Sequence, residues 1–234
     1  MIYMITSFLD TSIYFGAGLT ILGLVVGLTV KRRVKSAVAN PLLIAIVFVI
    51  LALRLTGADY ESYKTGAQPL TYLLTPATVC LAIPLYKQLG LLRRNWAPVV
   101  AGVVAGVLTN LICVYLSAVL FRFSHEQYAT LLPKSVTTAI GIPLSEELGG
   151  VPAMTVASII VTGIFGNIAA EHILNLVRVR DPVARGIAIG TGAHAIGTAR
   201  ALELGETEGA MGSLAIVLTG VLTVLLAPLF ASFL

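Results

Sequence analysis

The sequence predicts an all-α integral membrane protein: a polytopic helical bundle with broken or re-entrant helices and with internal repeats, which we expect to be inverted. Of its 234 residues, 57% are hydrophobic and only 11% are charged, whereas soluble domains devote about a quarter of their residues to charge. Several uncharged runs reach the length of about 20 residues that a crossing helix needs. Three other segments mix apolar residues with prolines, glycines and polar groups.

The elements follow from these runs in chain order. Uncharged runs of crossing length lie at 65–86, 96–121, 148–170 and 209–234, and 13–30 nearly reaches that length. We predict a first helix over 10–30 and a second over 38–56, where Asn40 and Pro41 suit a cap and a first-turn proline. A polar loop with Asp59, Glu61 and Lys64 should follow. Gly102 and Gly106 have the spacing that lets membrane helices approach closely.

The interrupted segments are 65–92, 131–150 and 186–205. Prolines punctuate the first, and a proline inside a helix kinks or breaks it. The uncharged core of the second runs only from Ser135 to Ser145, which is too short to cross as one straight helix, so we predict a re-entrant half-helix. The third carries glycines, threonines and charges that lipid does not tolerate. It should therefore be buried in protein or line a cavity.

The net charge of +4 comes from basic loops, which we interpret as a topology signal and not as nucleic-acid binding. The cluster from Lys31 to Lys35 follows the first apolar run, which suits an uncleaved anchor with this cluster in the cytoplasm. The basic residues at 178–185 can be cytoplasmic too only if 131–150 enters the membrane and returns to the outer side without crossing. Cys80 and Cys113 fall in apolar runs, so we expect neither a disulfide nor a metal site.

An internal repeat accounts for part of this pattern. Ile83-Pro84-Leu85 with Leu89-Gly90 recurs as Ile142-Pro143-Leu144 with Leu148-Gly149, and Leu204-Gly205 closes the third interrupted segment in the same way. Coincidence among common membrane residues is the alternative. We expect one transmembrane domain over 1–234, with an anchor helix and basic loop at 1–35, a first repeat at 36–122 and a second at 123–234. Such repeats build transporter sites from half-helix ends, although channels use re-entrant segments as well.

The polar residues of 186–205 form the first candidate site. Arg200 can grip a carboxylate with its guanidinium, His194 can titrate, and Thr191 and Thr198 add hydroxyls, which together suit a small anion. On this hypothesis Arg200→Ala should abolish transport. The alternative is structural: Arg200 pairs with Glu203, three residues away, and His194 bonds a carbonyl of a neighbouring helix.

The second candidate site is the start of the re-entrant element. Ser135, Thr137 and Thr138 lie at an expected half-helix end, where hydroxyls can contact a ligand beside the positive dipole or simply cap the helix. Glu146 and Glu147 fall at the polar boundary, where a solvated pair or a proton-coupling carboxylate fits.

Other polar side chains in the predicted crossings are interpreted as structural. Asn110, Asn167, Glu171 and His172 are interpreted as contacts between helices. The sequence has neither a GxxxxGK loop nor an HExxH motif, which argues against ATP-driven transport and an intramembrane metalloprotease. No nucleophile and base stand in a recognisable arrangement. We predict no enzyme, no cofactor and no metal.

Several strings together resemble the LrgB/CidB family. They are SVTT at 135–138, EELGG at 146–150, TPATVCLAIPLYKQL at 75–89 and the specific GTGAHAIGTARALELGE within 180–220. SVTT is usually followed by proline in that family, and here by Ala139. The resemblance implies a multi-pass protein of the bacterial inner membrane, paired with an LrgA/CidA-type membrane partner. It also implies either antiholin-like modulation of murein hydrolase activity and autolysis, or movement of small monocarboxylates such as glycolate, glycerate, pyruvate or 3-hydroxypropionate.

Two functions are therefore carried forward from the sequence. The first is a secondary transporter or facilitator of small organic anions, with His194, Thr198 and Arg200 facing the hydroxyls of 135–138. The second is a holin-like or antiholin-like protein that acts by assembly in the membrane and tolerates substitution of His194 or Arg200. The expected partners are a small organic anion, the lipid bilayer, an LrgA/CidA-type protein and further copies of this chain, with no nucleic acid.

Overall fold

The structure is a computed structural model, and it describes residues 14–34, 40–73, 76, 79–80, 82–87 and 89–234. All regular elements in these ranges are helices, as predicted. The chain forms two compact units, residues 1–80 and 81–234. The start of the first predicted helix, Lys35 of the basic cluster and parts of 65–92 lie outside the described residues. The single domain and its repeats at 36–122 and 123–234 stay predictions.

The first unit contains three helices: α1 (Phe15–Arg33), α2 (Pro41–Thr56) and α3 (Tyr60–Thr71). The predicted cap of α2 is confirmed, because Asn40 Oδ1 accepts hydrogen bonds from the amides of Leu42 and Leu43 at 2.8 and 3.2 Å. Glycine lets α1 approach α2, since a Cβ at Gly27 would collide with the backbone oxygen of Pro41.

The prediction of a polar loop around Asp59, Glu61 and Lys64 is wrong, because helix α3 begins at Tyr60 and includes Glu61 and Lys64. The Asp59 carboxylate accepts from the amides of Glu61 and Ser62 at 3.0 and 3.2 Å, which is the usual way an aspartate begins a helix. Lys64 then pairs with Glu61 at 3.2 Å on the exposed face of α3. The sequence contains this capping aspartate, but the polar residues that follow it favoured a loop over a helix.

The second unit contains the remaining helices of the described chain. They are α4 (Ala82–Lys87), α5 (Leu89–Arg94), α6 (Trp96–Phe121), α7 (His125–Leu131), α8 (Thr138–Glu147), α9 (Pro152–Leu176), α10 (Pro182–Leu204) and α11 (Glu206–Ala231). By length and composition, α1, α6, α9 and α11 can each cross a membrane, while α2 is apolar but shorter. The chain is thus a polytopic helical membrane protein, and the predicted crossings at 96–121, 148–170 and 209–234 correspond to helices.

The predicted short element within 131–150 is confirmed as α8. This helix has 10 residues and so measures about 15 Å, half of the roughly 30 Å of hydrocarbon in a bilayer. A helix of that length cannot cross. It begins after Thr137, and Pro143 of the repeated Ile-Pro-Leu motif lies inside it.

The predicted interruption of 186–205 is also confirmed, as a break within α10. Ala193 has φ −132° and His194 has φ 41° with ψ −141°, neither of them helical. The positive φ falls on His194 and not on a glycine of this helix, although such angles are uncommon for residues with a side chain. The glycines of α10 instead give close contacts: a Cβ at Gly190 would collide with the carbonyl oxygen of Gly212 in α11.

The two glycines of α6 place this helix directly against α10. A Cβ on Gly102 would lie 3.3 Å from Ile187 Cγ2, and one on Gly106 only 2.6 Å from Thr191 Cγ2. The predicted close approach is therefore the contact between α6 and the first half of α10. Apolar residues of α6, including Val103 and Leu111, join those of α11 in the buried core of this unit.

Candidate functional site

A cavity of about 870 Å³ lies between α6, α10 and the connection from α7 to α8. One end is exposed and contains Arg94 and Asp181, just before α6 and α10 begin. The cavity then follows both helices past Gly106 to its other end, where Ser135 and Thr191 are buried and which we call the deep end. The deep end comprises Asn110, Cys113, Lys134, Ser135 and Thr191.

The deep end contains a short hydrogen-bond network. Ser135, only 4% exposed, donates its hydroxyl proton to Asn110 Oδ1 at 3.0 Å. Lys134 Nζ donates to Ser135 Oγ at 3.4 Å. The cation is thus tied to α6 through a serine, on a wall of the cavity that faces α10.

Thr191 faces the same cavity from α10. It is 5% exposed, and its hydroxyl oxygen is buried with no hydrogen-bond partner among the described residues. Because an unpaired buried hydroxyl is costly, this group stands out as one that a ligand could satisfy. Of the predicted site residues, Ser135 and Thr191 are the two that line the cavity.

His194 and Thr198 maintain the break of α10 and do not belong to this lining. His194 is 3% exposed, and its Nε2 donates to the carbonyl oxygen of Ile159 in α9 at 2.9 Å. Thr198 Oγ1 donates to the carbonyl oxygen of His194 at 2.9 Å. The structure therefore has the carbonyl contact that the sequence offered as the alternative for His194.

Arg200 does not line the cavity, so it does not face the hydroxyls of 135–138 as the sequence led us to expect. Its guanidinium donates to Glu171 of α9 and to Glu203 of α10, both at 2.5 Å. The pair with Glu203 is the structural alternative from the sequence, and Glu171 adds a second carboxylate. Since two carboxylates already engage the guanidinium, Arg200 is not positioned to grip a substrate in this cavity.

The remaining predicted residues lie around α8. Thr137 occupies the position before the first residue of this helix, Thr138, but makes no side-chain capping hydrogen bond, and neither threonine lines the cavity. Glu146 and Glu147 are exposed near its other end, as expected for a solvated pair. The half-helix thus contributes to the cavity through the residues just before it and not through its own first turn.

Sequence reasoning missed Lys134 and undervalued Asn110. The signal for Lys134 was present: a lone lysine directly before Ser135, inside a segment already predicted to re-enter the membrane. Asn110 was interpreted as a contact between helices, and it does bond Ser135, but that contact forms the cavity wall. Among the described residues, no three His, Cys, Asp or Glu side chains come together to hold a metal ion.

Helices long and apolar enough to cross a membrane, together with the short α8 and the broken α10, define a polytopic α-helical membrane protein. Comparison with known proteins gives the family. Residues 20–233 match the LrgB-like family, and this chain belongs to it, as the resemblance at 135–138 and 180–220 indicated. No solved structure matches the chain.

Two relatives illustrate how much of the chain this similarity covers. The antiholin-like protein LrgB of Bacillus mycoides (strain KBAB4) is 34% identical over 221 residues, which are 94% of this chain and 96% of the relative. The antiholin-like protein LrgB of Bacillus cereus (strain B4264) has the same identity and coverage. The similarity therefore includes both compact units.

Proposed function

We propose that this protein is an antiholin-like membrane protein, the activity named in its relatives. The observation that carries this proposal is the extent of the similarity: 34% identity over 94% of the chain, with 96% of the relative covered. An activity that depends on the whole membrane-embedded body, and not on one grafted motif, is consistent with similarity along the full length. On this proposal the protein modulates murein hydrolase activity and autolysis.

The test is a measurement of lysis in cells. The chain is expressed in a Bacillus cereus strain whose own LrgB has been removed, and detergent-induced lysis is followed by turbidity. We expect lysis to be slower than in the same strain with an empty vector. Unchanged lysis, with the protein shown by immunoblot to be in the membrane fraction, would contradict the proposal.

A second function is favoured by the cavity itself. Transport of small monocarboxylates such as glycolate, glycerate, pyruvate or 3-hydroxypropionate fits a site bounded by a broken helix and by the residues before a half-helix, because transporters build sites from such ends. The specific observation is Lys134, a cation in the wall of the cavity at its deep end. Lys134 is half-buried, and ionisable side chains within a membrane are rare and mark substrate or ion sites.

Uptake into proteoliposomes tests this second function. We expect labelled glycolate or pyruvate to enter faster than in protein-free vesicles, and Lys134→Gln to remove most of that difference. Lys134→Arg keeps the charge and should retain more of it. The matched control is Lys64→Gln, which removes a lysine from the exposed pair with Glu61 in the first unit and should leave uptake unchanged. Equal flux with and without protein would remove the idea.

Location and partners complete the proposal. The bacterial inner membrane is the proposed site, with the basic residues at 31–35, 93–94 and 178–185 in the cytoplasm. An LrgA/CidA-type membrane partner and a homo-oligomer are proposed from the family resemblance. Affinity purification from mild detergent, followed by mass determination of the intact particle, tests both.

A further inference from the structure

We propose that the deep end of the cavity is a binding subsite for a small monocarboxylate anion, contacted by Lys134 Nζ and Thr191 Oγ1. Ser135 and Asn110 are positioning residues that hold the lysine in place. The inference rests on the transport function proposed above, and it adds the residues that recognise the anion and the charge that they select.

The two contacting groups come from different elements that line the same end of the cavity. Thr191 packs against Gly106, so that its methyl group occupies the space where a Cβ would be. Asn110 follows Gly106 by one helical turn, about 5.4 Å along the axis, and Ser135 with Lys134 is bonded to Asn110. Thr191 and the Ser135–Lys134 pair therefore contact positions of α6 that are one helical turn apart.

The deep end has more unused hydrogen-bond donors than acceptors. Ser135 has used its proton on Asn110, and it accepts only one long hydrogen bond from Lys134. An ammonium group has three donors, so Lys134 has capacity for further acceptors. Thr191 has a buried hydroxyl that is unpaired within the described part of the chain. Both groups can donate, which matches a ligand that offers only acceptors, as a carboxylate does.

The charge at the deep end favours a single negative charge. Lys134 is the one cationic residue among the described residues of the deep end, while Arg94, the other basic residue of the lining, lies at the exposed end with Asp181. A dicarboxylate would bring a second charge that no cation at the deep end can meet. Desolvating an unmatched charge is unfavourable, so monoanions should bind more tightly.

Cys113 provides a reporter inside this subsite. It is exposed and lines the cavity beside Lys134, and Cys80→Ser removes the other cysteine of the chain. The experiment uses the full-length Cys80→Ser protein in lipid nanodiscs and measures the rate of Cys113 alkylation by N-ethylmaleimide. Glycolate, malonate and chloride are titrated at constant ionic strength, and each protein is compared with itself with and without anion.

We expect glycolate to slow alkylation saturably, malonate to protect less, and chloride to protect little. Lys134→Gln should weaken glycolate protection by about ten- to a hundredfold in concentration, since it removes a charge-assisted hydrogen bond. Thr191→Val should weaken it by about fivefold, the loss of a neutral hydrogen bond. Lys134→Arg should keep most of the protection.

Several results would overturn the subsite. They are no protection by glycolate, equal protection by chloride, stronger protection by malonate, or unchanged protection in Lys134→Gln. The outcome is separable from the transport test. Protection without uptake keeps the subsite and removes transport, whereas uptake without protection keeps transport and places the substrate elsewhere.

Discussion

The Nε2 atom of His194 lies 2.9 Å from the carbonyl oxygen of Ile159, and this hydrogen bond ties the break of α10 to α9. The ring lies directly over Gly163, where a Cβ would come within 2.7 Å of Cε1 and 2.9 Å of Nε2. The non-helical backbone of His194 is therefore held by α9, whose Gly163 leaves room for the imidazole ring and whose Ile159 accepts its hydrogen bond.

Gly163→Ala should destabilise the protein by about 1–3 kcal/mol, the usual range for overpacking a filled site. The added methyl group must displace the His194 ring and weaken its bond to Ile159. Thermal unfolding in detergent measures the effect. Gly192→Ala is the matched control on α10, because a Cβ there meets nothing within 4 Å. Equal stability of the two variants would contradict the proposed tie.

Substitution along α6 should have graded effects. Gly106→Ala would bring its methyl group 2.6 Å from Thr191, whereas Gly102→Ala would place it 3.3 Å from Ile187. We expect Gly106→Ala to cost about 1–3 kcal/mol and Gly102→Ala clearly less, because a few tenths of an ångström can be absorbed by a side chain. The order of the two unfolding temperatures tests this prediction, and a reversed order would contradict the closer approach of α10 at Gly106.

Arg200→Gln should weaken the ion pairing between α9 and α10. It should leave the cavity unchanged, because Arg200 is not one of the lining residues. The side chains of Arg200, Glu171 and Glu203 are 32%, 31% and 66% exposed, so each pair should contribute about 0.2–1 kcal/mol. A double-mutant cycle of Arg200→Gln with Glu171→Gln, followed by thermal unfolding, measures the coupling. If transport is shown, uptake per folded protein should survive Arg200→Gln, in contrast to the expectation from sequence alone.

Tyr128→Phe should lower the free energy of unfolding by about 1 kcal/mol. Tyr128 is completely buried, and its hydroxyl donates to the carbonyl oxygen of Phe230 at 3.0 Å. Phenylalanine fills the same space but leaves that bond unmade. Chemical unfolding of the two proteins measures the difference, and a more stable variant would show that the bond adds nothing.

The same tyrosine should give a pH dependence at the alkaline end. Burial, with Tyr115 nearby, raises the pKa of Tyr128 from 10.0 to about 12. Because the folded state holds the proton more tightly, the stabilisation is fully present below pH 10 and is lost as the pH rises through about 12. Unfolding temperatures between pH 8 and 12, values that bracket the unshifted pKa, should fall more for the wild type than for Tyr128→Phe.

Local patterns were sufficient to predict most of the architecture. Apolar length indicated α6, α9 and α11, and the short uncharged core after Lys134 indicated that α8 does not cross. The density of glycine in α10 indicated an interruption. These features depend on the length and hydropathy of one segment at a time, which is what a sequence displays directly.

The site was harder to predict, because its contacts join segments that are distant in the chain. Arg200 carries a charge that suits a substrate, yet Glu171, 29 residues earlier, engages it from another helix. Asn110 and Ser135 are 25 residues apart, and no local pattern connects them. The position of the break is equally non-local, since Gly163 of α9 leaves the room that the His194 ring fills.

The packing of α11 has a consequence for motion. Gly190, before the break of α10, approaches the backbone of α11 at Gly212, and Leu202, after the break, covers Gly209 of the same helix. One continuous helix thus braces both halves of the broken one. We therefore expect the angle at His194 to stay constant, so that any change in the width of the cavity comes from α6 and the 132–137 connection, which carry the opposite wall.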